Sequence, residues 1–197
     1  MDPLPPDQLS GRSPVFMNDE SDGALVRRTC NGEPRAFDGL VRRHEKTVFN
    51  AALRMLHDRE EARDVTQTVF LKAYEHLGEY DPTHKFYSWI YRIALNESIK
   101  ALQRRKPTAA LDFEAPDGTP GPERVFDQAE LSDGMAAAIM SLRVEHRAVI
   151  VLRHFMDCSY EDMAAILELP EKTVKSRLFS ARQLLKTALE TRGWTSE

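Results

Sequence analysis

A chain of 197 residues with 42% hydrophobic content fits one ordinary domain or two small ones, and this composition excludes collagen-like and wholly disordered classes. No apolar run approaches the ~20 residues of a bilayer span, and only two cysteines, Cys30 and Cys158, exclude a disulfide framework and suit a reducing compartment. The formal net charge of −4 argues, taken whole, against a nucleic-acid binder.

That average conceals four segments. Residues 1–23 carry five acids and one base around Pro3, Pro5 and Pro6, which predicts a disordered acidic leader. It has neither a basic start nor an apolar signal core, so no membrane insertion is expected and a cytoplasmic location is. Residues 24–106 reverse the sign with sixteen bases and eleven acids. Residues 107–134 reverse it again with one base and seven acids, and four prolines and three glycines there predict a linker. Residues 135–197 hold nine bases and eight acids. On both sides of the linker the apolar spacing is helical, as in Val65, Val69, Ala73 and Leu77, and strand-like alternation is absent. The predicted fold is therefore all-α, two small helical domains joined by a flexible acidic linker.

Residues 58–77, DREEARDVTQTVFLKAYEHL, predict an amphipathic helix with acids in its first turn, where the helix dipole favours them. Val65, Val69, Ala73 and Leu77 form its core face. Asp64, Gln67, Thr68 and Leu71 lie on a neighbouring face with Phe70 beside it, a mixture suited to a partner surface or simply to solvent.

Residues 85–106, KFYSWIYRIALNESIKALQRRK, predict one long helix ended by Pro107. Arg92, Asn96, Lys100 and Arg104 recur every four residues, each rotated only about 40° from the last, and form a band with Lys85 close to it. Lysine and arginine neutralise phosphates, and asparagine offers both a donor and an acceptor to a base edge. The same helix opens with Phe86, Tyr87, Trp89 and Tyr91, and unpaired bases stack on such rings. Phe86 and Trp89 are expected to pack with Ile90 and Ile93, leaving Tyr87 and Tyr91 freer to be exposed.

Beyond the linker, YEDMAAILELPEKTVKSRLFSARQLLK predicts a helix-turn-helix: a short helix over 160–167, a turn over 168–170, and a second helix from Glu171. Ser159 or Asp157 can cap the first helix and Pro170 suits the start of the second. Ile166, Leu167, Val174 and Leu178 face inward, with Ala164 at the close approach. Lys172, Lys175, Arg177, Arg182 and Lys186 give the second helix five bases and no acid between 172 and 186, as a major-groove helix requires. Thr173, Ser176 and Ser180 can reach phosphates or bases.

The two halves in this order resemble a bacterial RNA polymerase sigma factor of the extracytoplasmic-function (ECF) type, over about residues 24–190. The resemblance implies that Asp64, Gln67, Thr68, Phe70 and Leu71 bind the β′ clamp helices of core RNA polymerase. It implies that Lys85, Arg92, Asn96, Lys100, Arg104 and Arg105 face the minus-10 element, with Phe86, Tyr87 and Trp89 supporting strand opening. It places Lys172, Thr173, Lys175, Ser176, Arg177, Phe179 and Ser180 on the minus-35 element. Core polymerase (β′ clamp helices and β flap), promoter DNA and an anti-sigma factor are the implied partners. Capture by that factor would hold the protein inactive, at the inner membrane if the factor is membrane-bound. Four positions depart from the family pattern. Glu168 and Lys172 stand where many members have glycine, Ser180 where arginine is frequent, and Lys100 where aspartate is common.

Nothing in the chain suggests catalysis or a cofactor. His154 and Cys158 share a step of four, but two ligands do not make a zinc site. Two rivals remain: a sigma mimic that sequesters an anti-sigma factor, which should have lost its bases, and a free-standing helix-turn-helix regulator, which needs no polymerase-binding helix.

Overall fold

The computed structural model describes residues 20–105 and 133–194. Most of the expected leader and nearly all of the expected linker lie outside them. Eight α-helices run through the described residues, and none of these is long and apolar enough to cross a membrane.

The first unit is built on α2 (Pro34–Leu56), which packs against α1 (Asp22–Cys30), α3 (Arg59–Glu75) and α4 (Phe86–Arg104). Leu40, Val48, Ala52, Met55 and Leu56 from α2 meet Val69 and Ala73 from α3 and Ile90 from α4 in a solvent-free interior. Asp58 starts α3 as its cap, its carboxylate accepting from the Glu61 amide at 2.9 Å. After α3 a short 3₁₀ turn (Leu77–Glu79) leads into α4, whose cap residue is Lys85. The four residues predicted for the α3 core, Val65, Val69, Ala73 and Leu77, are all buried.

The second unit comprises α5 (Asp133–Met140), α6 (Val144–Ile150), α7 (Tyr160–Leu167) and α8 (Glu171–Glu190). A π turn over Val151–Phe155 continues α6. The turn closes with the Met156 amide on the Val151 carbonyl at 3.1 Å, and the chain then reverses through Asp157 at φ 48. The reversal releases Ser159 to cap α7 and takes His154 and Cys158 off a common helical face. Helices α7 and α8 have the predicted bounds, with Glu168 ending α7 and Pro170 preceding α8.

The two units do not stand apart. One continuous buried cluster runs from Leu25 to Ala181, and α7 lies against α4. Arg147 of α6 is buried and donates to the Met55 carbonyl at 2.6 Å, to Met140 O at 2.6 Å and to Leu142 O at 3.2 Å. Arg105 donates to the neighbouring Leu56 carbonyl at 3.1 Å. Two guanidinium groups from different units thus satisfy the orphan carbonyls at the negative end of α2.

Candidate nucleic-acid interface

On α4, Asn96, Lys100 and Arg104 form the exposed band that the four-residue spacing predicts, with Arg92 half-buried at its start. Phe86 and Ile90 are buried, whereas Trp89 and Ile93 are half-buried. Tyr80 joins Phe86 and Trp89 at centroid distances of 5.6 and 5.5 Å, and Phe86 meets Trp89 at 5.7 Å. A Tyr80 hydroxyl bond to the His84 carbonyl ties this cluster to the loop before α4.

Four expectations need correction. Tyr91 is buried, its ring 5.8 Å from that of Tyr87, and burial pushes its hydroxyl pKa up to about 12. Phe86 is only 2% exposed, packed in the core as its apolar neighbours imply and closed to the base contact that the resemblance implies, and Trp89 and Tyr87 are the rings left partly open. Phe70 is 8% exposed and meets Phe37 edge-on at 6.4 Å, so it supports the α3 surface from beneath. Arg105, which the resemblance sets facing the minus-10 element, turns toward α3 and α2, donating to Glu61 at 2.7 Å as well as to Leu56 O.

The remaining α3 residues do share a surface. Asp64 and Gln67 are exposed, the Thr68 hydroxyl donates back to the Asp64 carbonyl at 2.8 Å, and Leu71 is 60% exposed. Tyr74, one turn beyond Leu71, enlarges the apolar part of this face. Its three-residue step from Leu71 was the available signal.

The helix-turn-helix is held by its capping box. Ser159 Oγ accepts from the Asp162 amide at 3.0 Å and donates to Asp162 Oδ2 at 2.6 Å, while the Ser159 amide donates to the same oxygen at 3.2 Å. Glu168 adopts φ 53 at the turn, the left-handed conformation that glycine takes without steric cost. Along α8, Val174 and Leu178 point into the core, and Lys172, Thr173, Lys175, Ser176, Phe179 and Ser180 are exposed, with Arg177 half-buried. Lys175 pairs with Glu171 and lies 5.2 Å from the Tyr160 ring centre. Phe179 is 67% exposed, an apolar ring in a basic and hydroxylated face.

The basic side of α4 meets α7 and the turn that follows it. Lys85 Nζ donates to Asp162 Oδ1 at 3.0 Å, and Arg92 pairs with Glu168 at 2.7 Å. Burial would raise the Asp162 carboxyl, but bonds from Ser159, Lys85 and Tyr87 outweigh it and hold the pKa at about 2. Neither acid carries a local sequence signal for this contact, because their partners lie 77 and 76 residues away.

Two family descriptions match this architecture, Sigma-70 region 2 over residues 40–108 and Sigma-70 region 4 over residues 133–185. The RNA polymerase sigma-H factor of Pseudomonas aeruginosa is 35% identical over 187 residues, covering 89% of this chain and 97% of that protein. The ECF RNA polymerase sigma-E factor of Escherichia coli K12 is 34% identical, covering 86% of this chain and 95% of that protein. The chain belongs to the ECF sigma factor family. A solved structure of CnrH in complex with the cytosolic domain of CnrY superposes with a TM-score of 0.67 at 26% identity, covering 87% of this chain and 99% of that one. In this sigma factor, region 2 thus contributes α3 and the band on α4, and region 4 contributes the helix-turn-helix.

Proposed function

We propose that this ECF sigma factor joins core RNA polymerase through the α3 face, Asp64, Gln67, Thr68, Leu71 and Tyr74, set against the β′ clamp helices. The α4 band then meets the minus-10 element through Arg92, Asn96, Lys100 and Arg104, with Lys85 beside them and Trp89 and Tyr87 available for an unstacked base. Lys172, Thr173, Lys175, Ser176, Arg177, Phe179 and Ser180 on α8 read the minus-35 element. Region 4 also docks on the β flap. The observation carrying this reading is one chain that pairs a partner-type helix face with two separate exposed basic DNA-type surfaces. Those retained bases also disfavour a sigma mimic.

Promoter binding requires the two units to part. The elements lie about 25 base pairs apart, roughly 85 Å at about 3.4 Å per pair. Helices α4 and α7 are in contact through the Arg92 to Glu168 pair at 2.7 Å, so this arrangement cannot span both. An anti-sigma factor in the cytoplasm or at the inner membrane would act by holding the factor away from polymerase. The likeness to CnrH, solved with the cytosolic domain of CnrY, supports such control.

Run-off transcription with core polymerase and genomic fragments tests the reading, and a subset of fragments should yield discrete transcripts only when the factor is added. Lys175→Ala and Arg177→Ala should weaken promoter binding and leave core binding intact. No transcript from any fragment, or normal promoter footprints from both variants, refutes it.

A further inference from the structure

Glu97 stands on the inner side of α4 and is only 6% exposed. Its Oε1 accepts from Lys72 Nζ of α3 at 2.7 Å and from Lys100 Nζ, one turn along α4, at 2.8 Å. Lys72 belongs to the helix that carries Asp64, Thr68 and Leu71, while Lys100 is the third member of the basic band. One buried carboxylate therefore ties the polymerase-type helix to a promoter-type lysine. Burial opposes ionisation of Glu97, but the bonds from Lys100 and Lys72 overcome it and hold the carboxyl below its ordinary range. The groove beside it is lined by Glu61 and Asp64 of α3 and by Arg104 and Arg105 at the end of α4, so acids of one helix face bases of the other across the seam.

We propose that Glu97 is a positioning residue for promoter recognition, fixing Lys100 on the band and withholding it from indiscriminate phosphate contact. The inference rests on the reading of α4 as the minus-10 helix. A free lysine is a hydrated point charge on a flexible four-carbon stem and reaches any phosphate within its sweep. Anchored to Glu97, Lys100 keeps two of its three donors, and their directions are fixed by the third. Its rotamer freedom is given up before DNA arrives, so less is lost on binding. The acid also lowers the local charge of the trio from two positive to one. Within a DNA-type helix that sacrifices phosphate affinity, and placement of Lys100 is the compensating gain.

The test uses holoenzyme assembled with the Glu97→Gln factor and a promoter obtained from run-off transcription. Binding is measured to that duplex and to one with a scrambled minus-10 element across a potassium chloride series. The amide keeps the shape and removes the charge. Glu97→Gln should bind scrambled DNA more tightly and steepen the slope of log K against log salt by about one. Discrimination between intact and scrambled DNA should fall about two- to tenfold, the cost of immobilising one long side chain on binding. Damage to the fold would weaken binding to both duplexes, the opposite sign for the scrambled one. In a Lys100→Ala background, Glu97→Gln should leave discrimination unchanged. Wild-type slope and discrimination in Glu97→Gln, equal losses on both duplexes, or an undiminished effect without Lys100 overturns the inference. A wild-type holoenzyme indifferent to scrambling overturns the minus-10 reading of α4 and this inference with it.

Discussion

Replacing Glu168 by glycine should stabilise the protein, although it removes an ion pair. Glu168 ends α7 at φ 53, ψ 43, and its amide closes the helix on the Ala164 carbonyl. A non-glycine residue in this region costs on the order of 1 kcal/mol, and glycine removes that cost. The opposing loss is the Arg92 to Glu168 pair, whose side chains are 35% and 70% exposed. Pairs this exposed contribute about 0–1 kcal/mol, with screening pushing this one toward the lower end. The net expectation for Glu168→Gly is a gain of roughly 0.5 kcal/mol. Glu168→Ala loses the same pair and keeps the unfavourable φ, so it should be a few tenths of a kcal/mol less stable than the parent. Urea unfolding followed by circular dichroism, at low and high sodium chloride, separates the two contributions. The difference between glycine and alanine variants, about 1 kcal/mol, should persist in salt because backbone strain is not screened, while the ion-pair contribution shrinks. A glycine variant no more stable than the alanine variant would refute the backbone account.

Asp162→Asn should lower stability at neutral pH by about 1 kcal/mol, since it weakens both the α7 cap and the bond to Lys85. The folded carboxyl titrates near 2, below its ordinary 3.8, so its stabilisation is complete above about pH 4 and is lost as pH falls toward 2. Urea midpoints of parent and variant should therefore converge over that interval, and parallel curves would contradict the sign. Arg147→Met removes the donor to three carbonyls, Met55, Met140 and Leu142, and should cost about 3 kcal/mol in the same assay; a loss below about 1 kcal/mol would show that water replaces the guanidinium freely. Leu71→Ser should weaken binding to core polymerase with little change in stability, whereas Phe70→Ala should cost about 3–5 kcal/mol of stability because its ring is buried against Phe37. Equal effects of the two on stability would return Phe70 to the surface.

Local physics made most of the elements legible. The capping signal at Ser159, the apolar pair Val174 and Leu178, and Pro170 ahead of α8 are decided within a few residues, and the helix-turn-helix has the predicted bounds. The four-residue band on α4 survives because helical rotation alone sets it. Tyr91 could not be placed that way. Whether an aromatic on α4 faces solvent depends on what packs over it, and Tyr91 is covered at a seam with Thr47 and Cys158 among its neighbours. Phe70 failed similarly, since Phe37 on another helix decides its burial. Glu97 and Arg147 carried no signal because an acid among bases, or an arginine among apolar residues, reads as ordinary until distant partners are known.

The contact between the units divides into parts of unequal strength, and this bears on how promoter binding can part them. Lys85 and Arg92 face Asp162 and Glu168 through side chains that are largely open to water at one end or both, so each pair is weak and screened. Phosphates approaching the α4 band would compete for those same two bases with charges of the same sign as the acids they displace. Arg147 is different: buried, without a carboxylate partner among the described residues, its pKa lowered to about 10 first by desolvation and then by Arg105, it is bound to carbonyls on both sides of the seam. DNA cannot reach that contact. Parting the units therefore requires an apolar seam to open around Arg147, a cost that promoter charge alone would not offset and that, on the proposed function, docking of region 2 and region 4 on separate surfaces of polymerase would. The net charge of −4 conceals this division, because the second unit meets the bases of the first with the sign that DNA would otherwise bring.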